Sequence, residues 1–296
     1  VGWRDHIGDW GYRLNLNVYD HKSKITKFNN LSGSIDNYYV GKALNSIYGY
    51  RADGYYSIDD FDMEKAKVGT WVLKEGVVSV SGYSVQPGDV KFKDLDGNGV
   101  IDAGGSTLEN PGDREIIGNS TSRYQFGGNL GVSWKGLDLN VLLQGVGKRD
   151  YWLGGAALFP FGAAGADGVF WPLYYNQTDY WSAVSYDPQS PDYMVAKNPD
   201  AKLFRVYGQD GNAGSNARVS DKYIQNAAYL RVKNVTLSYS FPSSLLRKVA
   251  LDQLRLYVSV ENLATFTSLP KGYDPESLSW SYPFYRTWSV GASITF

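Results

Sequence analysis

The sequence has no cysteine and only two histidines, His6 and His21, both near its start. The first absence removes any disulfide frame and any thiolate metal site. The second leaves no histidine pair at metal-ligand spacing, and no recognisable serine or cysteine nucleophile motif accompanies them. Carboxylates are numerous, so counting alone leaves a glycosidase pair open, but with so little else in support of catalysis the chain reads as non-enzymatic. No apolar run approaches the roughly 18 residues that a membrane-spanning helix requires. Neither sign of charge is in excess: 29 Lys and Arg against 30 Asp and Glu give a net charge of -1, with no basic run. Nothing here points to nucleic acid. A phosphate loop is also missing, and Gly127-Gly128-x-x-Gly131 lacks a strand-turn-helix context; it reads as a strand with small residues on one face.

What the chain has in quantity is aromatic residues, 15% of the total, with 24 Tyr and 9 Trp. Such rings suit either membrane-interface girdles or sugar-binding surfaces. The mean hydropathy of -0.34 fits a soluble domain or a barrel with a polar lumen and large loops. Val1 is not a start residue, so the sequence is expected to begin inside a longer protein or at a processed end.

The last ten residues set the pattern. Trp288, Val290, Ala292, Ile294 and Phe296 share one parity, while Thr287, Ser289, Gly291, Ser293 and Thr295 take the other. In a strand this makes one apolar face and one small polar face, long enough to cross a membrane at a tilt. Four earlier segments repeat the alternation. Tyr12, Leu14, Leu16 and Val18 form one, and Tyr124 to Trp134 on even numbers another. Leu137, Leu139, Val141, Leu143 and Gly145 follow after only Lys135-Gly136, which predicts a tight hairpin. Leu254, Leu256, Val258 and Val260 make the fourth. Gly2 to Asp9 reads as a strand end and a turn. Tyr229 to Phe241 is a strand whose apolar parity slips, from Leu230 and Val232 to Val235, Leu237, Tyr239 and Phe241, which predicts a β-bulge near Lys233-Asn234.

Two features choose between a soluble sandwich and a membrane barrel. The apolar faces carry no charge, whereas Arg13, Arg123, Asp138, Arg255 and Glu261 fall on the opposite faces. The connections are also lopsided. On one end they are short, at Lys135-Gly136 and across Ser243 to Gln253, the latter with room for one helical turn. On the other they run from about 20 residues, in the loop that follows Glu261 and reaches Tyr285, to about 100, from Lys22 to Thr121. Outer-membrane barrels have short periplasmic turns and long outer loops. The fold class expected is therefore all-β: an antiparallel transmembrane β-barrel, of which this chain supplies a C-terminal portion.

Several segments, in chain order, resemble the SusC/RagA family of TonB-dependent outer-membrane transporters. They include Ser46 to Tyr56 (SIYGYRADGYY), Pro87 to Asp102 (PGDVKFKDLDGNGVID), Asp113 to Asn119 (DREIIGN), Asp179-Tyr180-Trp181 and Asn198 to Ala201. Tyr229 to Tyr239, Leu254 to Leu263 and Gly272 to Glu276 (GYDPE) complete the set. The resemblance implies about six or seven strands of a 22-stranded barrel across residues 1–296, with the plug domain, the TonB-contacting segment and the earlier strands upstream. It further implies import of oligosaccharides or peptides across the outer membrane of a Gram-negative bacterium, energised through TonB, with a SusD-like surface lipoprotein as lid. Outer-membrane lipid would surround the wall, and the long loops would be extracellular. The terminal aromatic, Phe296, resembles the signal read by the outer-membrane assembly machinery. The sequence departs from the family in its outer loops: residues 103–112 intervene before Asp113-Arg114, Phe204-Arg205 stands where Pro-Arg is usual, and extra residues separate Trp181 from Asn198. A passive porin and a secreted β-rich glycan-binding module are the competing readings.

Two groups of residues carry candidate chemistry. Asp94-x-Asp96-x-Asn98-Gly99-Val100-x-Asp102 places oxygens at calcium-loop positions 1, 3 and 5, with a glycine at 6 and a main-chain carbonyl from Val100 at 7. Position 12 is Gly105, so the missing carboxylate must come from Asp113, if 103–112 loop out, or from Glu109. The competing reading is a plain Asx-Gly turn. The aromatic run between residues 152 and 181 offers Trp152, Trp171, Tyr175 and Trp181 as substrate contacts, against a packing role within a long loop. Trp134, Trp288, Tyr12 and Phe296 read as interfacial girdle.

Overall fold

The computed structural model describes residues 1–154, 178–207, 214–247, 250–278 and 284–296. Seven antiparallel strands form one sheet: β1 (Gly2–Ile7), β2 (Trp10–Tyr19), β3 (Arg123–Trp134), β4 (Leu137–Lys148), β5 (Tyr229–Ser240), β6 (Gln253–Thr267) and β7 (Thr287–Thr295). Their spatial order equals their chain order, and the sheet is open, ending on β1 at one edge and β7 at the other. Up-and-down order without crossovers is what a barrel wall requires.

Register turns the alternation into two continuous faces. One ladder runs Tyr12, Val132, Leu139, Leu237, Val258, Val290; the next position along the strands gives Gly11, Ser133, Asp138, Ser238, Tyr257, Gly291. The bulge falls where parity slips: pairing of β5 with both neighbours shifts between Val232 and Asn234, leaving Lys233 as the extra residue. The hairpin at Lys135-Gly136 has both residues at positive φ, 43° and 87°, as a type I′ turn demands. A short helix, Ser243–Leu246, sits in the β5–β6 connection.

The apolar face is largely uncovered among the described residues, Val260 being an exception at 5% exposed. Val290 is 82% exposed, Ile294 49%, Leu256 45% and Leu139 36%. A soluble sandwich would bury these four side chains against a second sheet. Exposed aliphatics over a whole sheet face mark a surface that meets something other than water. One residue breaks the pattern: Asp5 pairs with Tyr12, so β1 places a carboxyl on this face. Rings gather at the short-turn end, where Trp10 stacks on Trp134 with centroids 5.4 Å apart and Tyr239 meets Phe241 edge-on.

All short connections, 8–9, 135–136 and 241–252, leave one end of the sheet. The long ones, 20–122, 149–228 and 268–286, leave the other. The chain divides into two compact units. The wall comprises Val1–Lys22, Thr121–Asp150 and Asn226–Phe296; the second unit is Ser23–Ser120 with Tyr151–Gln225. The second unit holds the conventional core. Tyr50, Tyr56, Phe61, Val90, Phe92, Ile101 and Phe204 pack in one cluster, braced by short ladders such as Ser46–Tyr50 with Arg114–Asn119.

Candidate functional site

Within the second unit, the acidic loop is built from local turns. Asp94 accepts main-chain N–H groups from Gly97 at 2.7 Å and Gly99 at 2.8 Å; Asn98 accepts from Val100 at 2.7 Å. Gly97 and Gly99 both stand at positive φ, which lets the chain wind tightly round Asp94. Residues 103–112 leave and return: the Asp113 N–H donates to the Asp102 carbonyl at 3.2 Å. Asp113 thereby comes back under the loop. It is wholly buried and accepts from the Leu95 N–H at 2.7 Å and the Asp102 N–H at 2.8 Å.

Asp94, Asp96 and Asp113 each offer a carboxylate oxygen, and the three oxygens lie within 4.8 Å of one another. Glu109 is not in this group, and Asp102 turns its carboxylate to the Gly104 N–H instead. The electrostatics differ across the cluster. Loss of hydration, followed by the neighbouring carboxylates of Asp113, Asp94 and Asp102, raises the Asp96 pKa above the ordinary aspartate value. Main-chain donors, the Gly99 N–H foremost, lower that of Asp94. Three carboxylates plus an amide side chain form a hard-oxygen donor set suited to a divalent cation.

The aromatic candidates separate. Trp181 is 2% exposed, packed with Ile58, Ala66, Ala183, Tyr193, Met194 and Ala201, and its ring lies flat against Gly88, where a Cβ would come within 2.4 Å of the indole. Its ring is therefore core, not a ligand contact: the long loop needs a centre of its own, and the largest side chain supplies it. Trp152 is half-buried on the edge of the other core cluster. Trp171 and Tyr175 lie outside the described residues.

Sequence reading missed a buried polar knot in the same unit. Asp89 is inaccessible and accepts from Arg205 Nε at 3.2 Å, Asn216 Nδ2 at 3.2 Å, the Gln86 N–H at 2.8 Å and the Tyr207 hydroxyl. Burial pushes the Asp89 carboxyl up, opposed by Arg205 and these donors. Phe204-Arg205 now has an account: Phe204 enters the core and Arg205 neutralises Asp89. No periodicity could have announced this.

In the wall unit, the polar face carries its own network. Arg13 Nη2 donates to Asp138 Oδ2 at 3.1 Å and to Asn140 Oδ1 at 2.9 Å; Arg255 Nη2 donates to Ser238 Oγ at 2.8 Å. Arg231 engages Thr265, Asp274 and Glu276. These groups make the face polar and cross-linked by charge and hydrogen bonds.

No family model matches the sequence. Among characterised proteins, TonB-dependent receptor P3 of Formosa agariphila is 30% identical over 273 residues, covering 86% of this chain and 22% of that receptor. TonB-dependent receptor SusC of Bacteroides thetaiotaomicron is 24% identical over 306 residues, covering 97% of this chain and 25% of SusC. The chain thus spans about a quarter or less of the length of these relatives. Among solved structures, the RagAB peptide transporter superposes over the whole chain with a TM-score of 0.62 at 19% identity, covering 28% of the matched chain. The same importer in its open-open state gives 0.60 at 18% identity, again over the whole chain and 28% of its counterpart.

Proposed function

Since the chain belongs to the TonB-dependent receptors, we propose that it forms a C-terminal part of a SusC/RagA-type barrel and supplies wall and outer loops to an outer-membrane importer. The whole protein would take up oligosaccharides or peptides, driven through TonB, with a SusD-like lipoprotein as partner. A plug domain and the remaining strands would precede residue 1. The single observation behind this reading is sidedness: an uncovered apolar face on Leu139, Leu256, Val290 and Ile294, backed by a polar face, with every long connection at one end. Lipid is the medium that leaves such a face stable. The open edges at β1 and β7 are consistent with strands contributed from elsewhere in the barrel.

The likeness to a structure named a peptide transporter makes peptides the first substrates to try. A strain lacking the complete gene should lose growth on defined peptides or on single glycans as sole nutrient, and regain it with the gene restored. Growth unchanged on every substrate would sink the import reading. A passive porin would lack an upstream plug and TonB segment in the full gene. The glycan-binding module is disfavoured by the bare apolar face.

We also propose that Asp94, Asp96 and Asp113 hold a calcium ion, with Asn98 and the Val100 carbonyl as further oxygens. Support comes from their convergence: three carboxylate oxygens held within 4.8 Å of one another. The ion would tie the acidic loop to the strand that starts at Arg114. Asp102, whose Oδ1 accepts the Gly104 N–H, would contribute through its other oxygen at the ninth position of the loop.

A further inference from the structure

Arg231 lies near the long-connection end of β5, on the polar face, paired with Gln144 and Thr265. Its side chain is 2% exposed, whereas Phe266, one position away on β6 and on the opposite face, is 61% exposed. Cover therefore comes from the polar side alone, and the covering segment is the β6–β7 connection. Arg231 Nη2 donates to Asp274 Oδ2 at 2.7 Å, Nη1 stands 3.1 Å from Glu276 Oε1, and Nε donates to Thr265 Oγ1 at 2.8 Å. Lys233, the bulge residue, donates from Nζ to Glu276 Oε2 at 3.0 Å. The Phe284 ring faces both cations, 5.3 Å from the Arg231 guanidinium and 5.0 Å from Lys233 Nζ. Flanking contacts fasten both ends of the segment: Ser268 Oγ donates to the Asn226 carbonyl, and Asn262 Nδ2 to that of Tyr285.

Two cations and two carboxylates, mostly shielded from water, satisfy one another; removing a partner would strand a buried charge. We propose that Arg231, Lys233, Asp274 and Glu276 form a clasp that keeps residues 268–278 folded onto the polar face of β5 and β6, as a fixed part of the pore mouth. The other long connections have their own core, whereas this one is too short for one and is held by charge. The inference rests on the reading of that face as pore-lining.

The test uses the complete receptor in its outer membrane. Leu278, 9% exposed, is changed to cysteine in a chain that otherwise has none across residues 1–296, and labelled on whole cells with a membrane-impermeant maleimide. With the clasp intact, labelling is slow. Adding Asp274→Asn with Glu276→Gln should raise the labelling rate at least tenfold while heat-modifiable migration shows the barrel still formed. An unchanged rate in a formed barrel overturns the clasp. Should the double substitution fail to assemble, Glu276→Gln alone removes a partner from both cations, and the same comparison decides. Absence of heat-modifiable migration in the unsubstituted receptor would overturn the barrel reading itself, and the clasp with it.

Discussion

Arg13 on β2 reaches Asp138 on β4, 3.1 Å from nitrogen to oxygen, across the strand that lies between them. The crossing is possible because β3 has Gly131 beneath it: a Cβ there would come within 2.7 Å of Arg13 Nε and 3.2 Å of Asn140 Oδ1. Gly131→Leu is expected to push the guanidinium off Asp138 and lower stability by about 1–3 kcal/mol, as overpacking does. Arg13→Ala, which removes a half-exposed ion pair, should cost only about 0.2–1 kcal/mol. The double variant should cost less than the two combined, since leucine then fills the space the arginine left. Urea unfolding of the complete receptor in lipid vesicles measures all three; strict additivity would count against the crossing.

Val258 and Ser259 are neighbours on opposite faces of the sheet. Val258 continues the Leu139–Leu237–Val290 ladder on the bare face, and Ser259 sits between Thr236 and Ser289 on the polar one. Arginine on the lipid side of a barrel wall costs about 2–4 kcal/mol near the bilayer centre. Val258→Arg should therefore depress unfolding stability by that amount, and Ser259→Arg by well under half of it. Equal losses would mean that both faces meet the same solvent.

How much of this could be read from sequence follows from what leaves a periodic trace. Leu237 and Ser238 announce their faces because a sheet with one apolar and one polar face selects opposite side chains at a period of two. Lys233 announced itself because a single extra residue flips every position before it. Asp113 was reachable, since a calcium-loop spacing lacking its last oxygen says what is missing. The Asp89 knot was not: its partners Arg205, Tyr207 and Asn216 stand more than a hundred residues away in irregular chain, and one buried contact has no period. Trp181 failed as a ligand candidate for a related reason. A ring in a long loop looks the same in sequence whether it faces outward or anchors the loop, and only the fold places Gly88 against it. Asp5 escaped notice because β1 is short and its parity is fixed by pairing with Tyr12 rather than by its own composition.

Deleting Lys233 tests the bulge directly. Without the extra residue, either the pairing of Leu230 to Val232 is lost or the segment before the deletion flips, turning Arg231 to the apolar face and Val232 to the polar one. Both outcomes also break the contacts of Arg231 with Asp274 and Glu276. The deletion variant should fail to give heat-modifiable migration in detergent gels, whereas Lys233→Ala, which keeps the bulge, should retain it.

Calcium gives a prediction with a direct readout. If Asp94, Asp96 and Asp113 share an ion, calorimetric titration of the chelator-treated receptor with calcium should show binding heat. Asp94→Asn should weaken it at least tenfold, because one charged ligand is lost. Asp113→Asn should do the same and also loosen residues 95–102, whose Leu95 and Asp102 N–H groups it holds. A titration of the unsubstituted receptor without heat would leave the loop as a turn stabilised by its own side chains.

At the long-connection end of the sheet, β2 and β3 are tied by a pH-sensitive fork. Arg123 donates through Nε and Nη2 to the two oxygens of Asp20, at 2.5 and 2.7 Å, and the Tyr124 N–H adds a third donor at 3.2 Å. Hydrogen bonding by Arg123, ahead of the other influences, brings the Asp20 carboxyl down to about 2. A carboxyl depressed in the folded state stabilises it above the unfolded pKa, near 4, and that contribution fades as pH falls toward about 2. Hydrogen exchange at the Tyr124 amide should accordingly lose protection across that acid window, over and above the intrinsic change in exchange rate. In Asp20→Asn the protection should be lower at neutral pH and should not step between pH 4 and 2. A step that persists in the substituted chain would assign the transition to another carboxyl.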